Sequence, residues 1–521
     1  MTTAEKHDPL EGMFRVSPLA AFALTGCGLL AGLGEFTSTA SGGGGAGGSA
    51  TGTTMAGGAG GGACDDAPDW QQVFSGEGTI EVQGLAPGPD CSVIVAVTAM
   101  SETGGGVVEL PFGDTLSEDS YLVQIRRDGT IGWTTAIGGD GFQTVHAIHA
   151  TSERVLVMGR FTSSLDVSGR PPFGDPGADA GFALQLDATT GEEIASERRL
   201  VGVSVNGRDE VFAGHFLEDG ALSIAGTFSN DLTIANESSG LLCESARCAF
   251  WLDIRPDGVG ALAFGGPSSA DNMASFTHLA RLGDGTRVGV GQFSGDWSGT
   301  TVVMGTLVVG FDERDTEKFR YVLHGSGMVR PVGLATPPDA TRALLLVAHE
   351  HELANGQSTL VNDQMPGQGR LSLLEVVGGG TNGIFLVRHW PESRDDARST
   401  PVSREQLFAW EDGPNGTLVA MSGLVSGPET LGSGMSYDIQ VDGIGNSMFA
   451  ANLSVTYDST VTLLGAPRVY PAGTAVQQAT HVLHLAGALV VGGNYQGDAM
   501  PVGVLATSGA VNAFVERHPV R

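Results

Sequence analysis

Residues 133–161 read WTTAIGGDGFQTVHAIHATSERVLVMGRF, and degraded copies of this stretch recur to the C-terminus. Each copy runs from an aromatic or apolar strand start through a Gly-rich turn, an apolar strand and a polar hairpin turn. It closes with a β-rich strand that ends in a small residue, Gly, any residue and an aromatic residue. Such repetition is typical of folds that stack one supersecondary unit several times. The repeats therefore predict an architecture, whereas function sits in sites grafted onto it.

Seven copies can be marked out, and two short apolar strands identify each of them. The copies start near Trp70, Trp133, Ala195, Ala261, Val322, Pro401 and Leu463. The first marker reads VAVTAM from Val95, VLVMGRF from Val155, LSIAGTF from Leu222, VGVGQF from Val288, LLLVAHE from Leu344, LVAMSGL from Leu418 and LVVGGNY from Leu489. The second marker reads SYLVQI from Ser120, GFALQL from Gly181, AFWLDI from Ala249, TLVVGF from Thr306, IFLVRH from Ile384, MFAANL from Met448 and AFVERH from Ala513.

Tight turns separate the apolar runs and set the number of strands. Asp-Gly pairs occur at 128–129, 219–220, 257–258 and 284–285. They are a strong hairpin signal because both residues tolerate positive φ. This punctuation predicts an all-β fold with four short strands per copy, closed into a seven-bladed β-propeller. A four-stranded sheet buries its two faces against neighbouring blades, and radial repetition leaves few exposed edges.

The composition of the 521-residue chain agrees with many short strands. It contains 80 Gly, 16% charged residues and 41% hydrophobic residues, which does not suit a heptad-rich helical protein. The formal net charge is −31, from 27 basic and 58 acidic residues. Acidity of this size repels phosphate backbones and anionic lipid surfaces, so nucleic acid is excluded as an expected partner.

The second to fourth copies resemble a known repeat family. Trp133, the GGD at 138–140, the Gly-x-Phe at 159–161 and DAGF at 179–182 with Leu186–Asp187 are similar to the SBBP-type bacterial β-propeller repeat of many surface lipoproteins. The resemblance covers about residues 69–521. It implies the architecture of this region but does not indicate which ligand the protein binds. The fifth copy departs from the pattern, with Ala-His-Glu at 348–350 and an insertion around 356–369. The GTIEVQG stretch at 78–84 is a candidate for completing the ring.

The N-terminus carries an expected export signal. An apolar run, VSPLAAFAL at 16–24, leads into Leu24-Thr25-Gly26-Cys27, which resembles the lipobox of bacterial lipoproteins. The resemblance implies removal of residues 1–26 and acylation of Cys27, with a cell-surface or outer-membrane location. Acidic residues near Met1 and apolar character up to Leu33 leave an uncleaved membrane span, or neither, as alternatives.

Residues 27–68 form the expected linker between anchor and propeller. The stretch 38–63, STASGGGGAGGSATGTTMAGGAGGGA, has no large apolar residue except Met55, so we expect a disordered tether. With Cys27 acylated, four cysteines remain for disulfides in an exported chain. Proximity favours Cys243 with Cys248 and Cys64 with Cys91, although four cysteines allow three connectivities.

Histidines are the candidate metal ligands. His149, His215 and His484 stand just before the first hairpin turn of their copies, where first strands of a propeller line the channel. They could ring one channel mouth and bind a metal ion, or they could be ordinary strand residues. Neighbouring histidines are His146, His278 and His481. In His349-Glu350-His351-Glu352, strand alternation puts His349 and His351 on one face, which suits a ligand pair but supplies only two ligands.

No motif for catalysis is present. The sequence lacks an H-E-x-x-H helix, a calcium loop, a complete nucleophile elbow and a phosphate loop. We therefore expect no cofactor beyond a metal ion at these histidines. The function expected is that of a monomeric binding module with a protein or carbohydrate ligand, joined to the membrane through its lipid alone. The alternatives are a propeller enzyme acting on a polysaccharide or another polymer, and a structural component of the cell envelope.

Overall fold

The computed structural model describes these residues: 68–74, 78–101, 108–110, 113–115, 119–168, 173–194, 199–204, 209–217, 220–234, 237–255, 258–264, 272–297, 299–314, 316–336, 341–356, 358–362, 370–378, 383–390, 406–413, 416–425, 447–456, 461–464, 468–470, 477–485, 487–496 and 511–519. Within these ranges the regular structure is β-strand, apart from a 3₁₀ turn at Pro89–Cys91. The predicted all-β fold is confirmed. The predicted lipobox and tether lie outside the described residues.

The strands are short and follow one another closely. The first half contains β1 (Trp70–Phe74), β2 (Gly78–Pro87), β3 (Val93–Ser101), β4 (Val108–Leu110), β5 (Gly113–Thr115), β6 (Asp119–Ile125), β7 (Ile131–Gly138), β8 (Gln143–Ala150), β9 (Arg154–Val167), β10 (Phe173–Asp187), β11 (Arg199–Ser204), β12 (Glu210–Phe216), β13 (Leu222–Phe228), β14 (Asp231–Ile234), β15 (Glu237–Leu242), β16 (Cys248–Arg255) and β17 (Gly258–Phe264). The second half contains β18 (Met273–Ala274), β19 (His278–Arg281), β20 (Arg287–Trp297), β21 (Thr300–Phe311), β22 (Glu317–His324), β23 (Val329–Ala335), β24 (Arg342–His349), β25 (Leu353–Asn355), β26 (Ser358–Val361), β27 (Arg370–Val377), β28 (Gly383–Trp390), β29 (Gln406–Gly413), β30 (Gly416–Val425), β31 (Ser447–Thr456), β32 (Val461–Leu463), β33 (Arg468–Tyr470), β34 (Gln477–Leu485), β35 (Ala488–Gln496) and β36 (Val511–Pro519).

Among the described strands, antiparallel pairing produces seven groups of four, which we call units 1 to 7. In order from first to fourth strand they are β2-β3-β6-β7, β8-β9-β10-β11, β12-β13-β16-β17, β18/β19-β20-β21-β22, β23-β24-β27-β28, β29-β30-β31-β32 and β34-β35-β36-β1. Short hairpins are inserted between the second and third strands of units 1, 3 and 5: β4-β5, β14-β15 and β25-β26. Each first strand contacts the first strand of the next unit, and that of unit 7 contacts that of unit 1.

The first described strand belongs to the last unit. β1 pairs antiparallel with β36, from Trp70 opposite Arg517 to Phe74 opposite Ala513. The Arg517 guanidinium also donates a hydrogen bond to the Pro68 carbonyl, 3.3 Å away. Residues 78–84 lie in β2, the first strand of unit 1, and Thr79 of this stretch also pairs in parallel with Val511 of β36 in unit 7. The fourth strand of unit 7 is β1.

The core is divided into clusters that lie between consecutive units. Leu122 of unit 1 packs with Phe161 and Phe182 of unit 2 in one buried cluster. Trp251 of unit 3 packs with Leu307 of unit 4 in another. Clusters of the same kind join units 2 and 3, 4 and 5, 5 and 6, and 7 and 1. Each four-stranded sheet therefore buries its apolar faces against its two neighbours.

The Gly-x-Phe marker has a steric cause. A Cβ on Gly159, Gly226 or Gly291 would lie 2.1, 1.8 or 1.7 Å from a main-chain carbonyl oxygen of the segment preceding the hairpin in the same unit. No side chain fits at that distance, so the second strand needs glycine where it approaches its neighbour closely. The aromatic residue two positions later is then buried in the cluster between units, as Phe161, Phe228 and Phe293 are.

The predicted copies are offset from the units by one strand. Four predicted starts fall within the fourth strand of a unit: Trp70, Trp133, Ala261 and Val322. The start near Leu463 is the last residue of the fourth strand of unit 6. The start near Ala195 precedes the fourth strand of unit 2, whereas Pro401 lies outside the described residues. In unit 5 the second marker was assigned to the wrong strand. IFLVRH lies in β28, the fourth strand, because the insertion displaces the pattern and β27 is third.

Candidate functional site

A cavity of about 280 Å³ lies between units 3 and 4, at the end of the strands where their first hairpins turn. Unit 3 contributes side chains from its first three strands. Unit 4 contributes both sides of its first hairpin and Glu313 from the turn between its third and fourth strands. The hairpin of unit 4 turns at Asp284–Gly285. Gly285 has φ +81°, the left-handed conformation that the predicted Asp-Gly turn requires. The cavity is thus framed by regular strands rather than by long loops.

The inner wall of the cavity is a connected polar network. The Trp251 indole Nε1 donates to Ser223 Oγ at 2.6 Å, and the Ser223 hydroxyl donates to Asp253 Oδ1 at 2.7 Å. Arg287 Nη1 donates to Asp253 Oδ2 at 3.1 Å, and its Nη2 donates to the Asp312 carbonyl at 3.0 Å. The Arg287 guanidinium also lies 5.5 Å from the centre of the Trp251 ring. These contacts hold a cation in one orientation across the boundary between the units.

The rim of the cavity adds further charge. Arg281 Nη2 lies 3.7 Å from Glu313 Oε1, with side chains 32% and 66% exposed, so water screens this pair. Arg255 is an exposed lining residue on the other side. Three guanidiniums against the carboxylates of Asp253 and Glu313 give the lining a formal charge of 3 − 2 = +1. In a chain of net charge −31, this lining is a local excess of positive charge.

His215 connects the cavity to the row of first strands. It lines the cavity, and its ring centre lies 6.4 Å from that of His149 on the first strand of unit 2. Burial lowers the pKa of His215 to about 4, and the positive charge of Arg281 contributes to the shift. Burial, with a smaller contribution from His215, lowers the pKa of His149 to about 3. Both imidazoles are therefore neutral near pH 7.

The third histidine of the predicted set occupies the equivalent position in unit 7. His149, His215 and His484 are each the second-last residue of a first strand. Burial lowers the pKa of His484 to about 4. The structure brings His149 and His215 together, whereas a metal site requires more ligands. No group of three or more His, Cys, Asp or Glu side chains in the described ranges could hold a metal ion.

The neighbouring histidines also lie on first strands, those of units 2, 4 and 7. His146, His278 and His481 are buried. His146 Nε2 lies 3.7 Å from the Glu210 carboxylate, and burial lowers its pKa to about 3. His278 Nδ1 lies 2.7 Å from Thr277 Oγ1, and burial lowers its pKa to about 3 as well. Their rings pack in the interior of the fold.

The second predicted histidine pair is arranged differently from the expectation. β24 ends at His349, so strand alternation does not extend to His351. His349 Nδ1 lies 2.8 Å from the main-chain oxygen of His351, and its Nε2 lies 2.9 Å from Ser372 Oγ. Ser372 Oγ in turn lies 3.0 Å from His389 Nδ1. The ring brought towards His349 is that of His389, which the sequence analysis did not select.

One predicted disulfide is confirmed. Cys243 and Cys248 are bonded at the base of the CESARC loop. Cys91 is also disulfide-bonded, but its partner lies outside the described residues, so the pairing with Cys64 stays a prediction. Acylation of Cys27 also lies outside them. A disulfide fits an oxidising compartment, and none of the helical structure in the described ranges is long and apolar enough to cross a membrane.

Sequence reasoning missed the arginines of the cavity. Arg281 and Arg287 bracket one predicted Asp-Gly turn in RLGDGTR, which was a readable signal for two guanidiniums at one hairpin. Asp253 and Trp251 belong to a marker that was used only to count copies. Their convergence on Arg287 depends on how neighbouring units pack. No single-copy pattern contains that information.

Comparisons with known proteins add little. No protein-family model matches the chain, and no curated protein matches it. Among solved structures, the crystal structure of the polysaccharide lyase Uly1 is similar over 85% of this chain and 90% of its own, with 10% sequence identity and a TM-score of 0.42. This similarity is too low to support an assignment of fold or activity.

Proposed function

We propose that residues 69–521 form a seven-bladed β-propeller in which units 1 to 7 are the blades. Three observations support it: the succession of contacts among first strands returns to its start, the core clusters lie between consecutive units, and β1 completes the last sheet. Closure of this kind removes open sheet edges, which otherwise promote aggregation. We further propose export as a lipoprotein acylated at Cys27, which would hold the propeller at the cell surface as a monomer.

The propeller acts as a binding module for an anionic ligand in the cavity between units 3 and 4. The observation that carries this proposal is the convergence of Arg255, Arg281 and Arg287 on one cavity in a strongly acidic chain. Guanidinium groups bind carboxylates through paired, charge-assisted hydrogen bonds, and Arg287 is already held in place by Asp253. A carboxylate-bearing sugar or peptide at the cell surface is the ligand class that fits.

Calorimetric titration of the purified protein with oligogalacturonate tests the proposal. We expect binding that weakens with added salt, and no binding of an uncharged maltodextrin of the same length. Arg281→Gln should weaken binding by about tenfold or more, because a hydrogen bond to a charged group contributes about 1.5–3 kcal/mol. Arg126→Gln is the matched control, since it removes the same charge from an exposed turn of unit 1. Equal effects of both variants would contradict the assignment of the cavity.

An enzyme acting on an acidic polysaccharide is the second candidate. The specific observation is that His215, neutral near pH 7, lines the same cavity as Arg281. A neutral imidazole can accept a proton from a substrate whose negative charge is balanced by a nearby guanidinium. The protein should then shorten polygalacturonate, measured as new reducing ends. His215→Gln should abolish that activity while oligogalacturonate still binds. If the unaltered protein does not shorten polygalacturonate, the enzyme candidate is excluded and the binding module remains the proposed function.

A further inference from the structure

Glu313 places a carboxylate of the chain itself in the cavity between units 3 and 4. It stands in the turn between β21 and β22, the third and fourth strands of unit 4, and lines the cavity. Its Oε1 lies 3.7 Å from Arg281 Nη2, at the end of the first strand of the same unit. A ligand that binds through a carboxylate would need the same guanidinium, which Glu313 already contacts.

The main chain that carries Glu313 is held in place. Asp312 Oδ1 accepts hydrogen bonds from the main-chain N–H groups of Arg314 and Thr316, at 2.9 and 2.8 Å. Such bonds from nearby main-chain groups to an aspartate fix a turn. Arg287 Nη2 donates to the Asp312 carbonyl at 3.0 Å, so a cation of the cavity also anchors the turn. The base of the Glu313 side chain therefore stays at the rim of the cavity.

The side chain of Glu313 reaches the cavity across the first hairpin of unit 4. A Cβ on Gly285 would lie 2.5 Å from Glu313 Oε1 and 3.0 Å from its Cγ and Cδ, so the carboxylate uses space that only glycine leaves open at this turn. The glutamate side chain is nevertheless 66% exposed, and an ion pair with this much solvent around it is weak. The carboxylate therefore covers Arg281 but can be displaced from it.

We propose that Glu313 is an internal competitor, a carboxylate that an anionic ligand displaces from Arg281 when it enters the cavity. This role rests on the proposed function, the binding of an anionic ligand between units 3 and 4. A site that is covered in part of the molecules binds with an apparent affinity reduced by the uncovered fraction. Glu313 thus sets the affinity of the cavity without being one of the groups that hold the ligand.

Calorimetric titration of the full chain with oligogalacturonate tests this role in the unaltered protein, Glu313→Gln, Arg281→Gln and the double variant. We expect Glu313→Gln to tighten binding by about twofold to fivefold, the range expected when a weak competing ion pair is removed. The double variant should bind no more tightly than Arg281→Gln, because the guanidinium that Glu313 covers is then missing. Glu153→Gln is the matched control. It removes the same charge from the exposed first hairpin of unit 2, so binding should be unchanged.

The outcomes separate the role of Glu313 from the binding function itself. If the unaltered protein and Glu313→Gln bind oligogalacturonate equally well, Glu313 does not compete with the ligand, although the binding function stands. If Glu313→Gln tightens binding by the same factor with and without Arg281, the carboxylate acts by general repulsion and does not cover the guanidinium. If neither the unaltered protein nor Glu313→Gln binds, both the binding function and the role of Glu313 are wrong. Replacement of an exposed glutamate leaves the fold intact, so each outcome reports on binding.

Discussion

Replacement of Phe74 by alanine tests whether the β1–β36 pairing closes the fold. Phe74 is fully buried and belongs to the cluster shared by units 7 and 1, together with Val97 and Phe514. Phe74 is the one fully buried side chain of β1, whereas Trp70 and Val73 pack against the same cluster only in part. Truncation of a buried Phe costs about 3–5 kcal/mol, of which transfer from water is roughly half and the cavity left behind is the rest.

Urea unfolding of the purified protein measures this cost. We expect Phe74→Ala to lower the free energy of unfolding by about 3–5 kcal/mol. Gln72→Ala is the control in the same strand, because Gln72 is half-buried and makes one side-chain hydrogen bond to the Gly129 carbonyl. The control should lose about 1 kcal/mol. If Phe74→Ala lost no more than Gln72→Ala, β1 would not be an integral strand of unit 7, and the closure argument would be wrong.

Four further outcomes are expected from urea unfolding. Gly226→Ala should cost more than about 3 kcal/mol, because its Cβ would lie 1.8 Å from a carbonyl oxygen, far inside contact distance. Replacing Cys243 and Cys248 by alanine should cost about 2 kcal/mol from the short loop that the disulfide closes. Burial lowers the pKa of His278 to about 3, so the unfolded chain binds the extra proton. Stability should therefore decrease as the pH falls from 6.5 towards 3, and less steeply in His278→Gln. Burial raises the pKa of Asp209 to about 6, so Asp209→Asn should stabilise the protein at pH 8 but not at pH 3.5, below the ordinary carboxyl range.

Local features of the fold could be predicted because each rests on a local cause. Three of the four predicted Asp-Gly turns are confirmed, because Gly129, Gly220 and Gly285 have positive φ, whereas Asp257 of the fourth lies outside the described residues. The Gly-x-Phe marker recurs because one glycine has to approach a carbonyl and one aromatic ring has to fill the space between units. The glycine of each marker meets a carbonyl oxygen of its own unit, that of Thr144, Glu210 or Ser275, so a single copy contains the requirement for glycine.

Other features could not be predicted because they depend on distant parts of the chain. The repeat pattern predicts Trp70 as the start of the first copy, whereas its strand pairs with residues about 440 positions later. His389 was passed over because it falls in a displaced marker, yet it meets His349 through Ser372. The Arg287 to Asp253 pair crosses from one unit to the next. Pairings of this kind follow from the packing of units, and the periodic pattern does not contain them.

The membership of β1 in unit 7 has a consequence for how the protein is made. Ribosomes release the N-terminal end first, so Trp70 emerges long before its partner Arg517. Units 1 to 6 can pair their strands as they are synthesised, but the last sheet lacks its outer strand until the final residues are available. An unfinished chain therefore keeps β1 and the third strand of unit 7 apart, and truncation near the C-terminus should leave a translated product that proteases readily degrade.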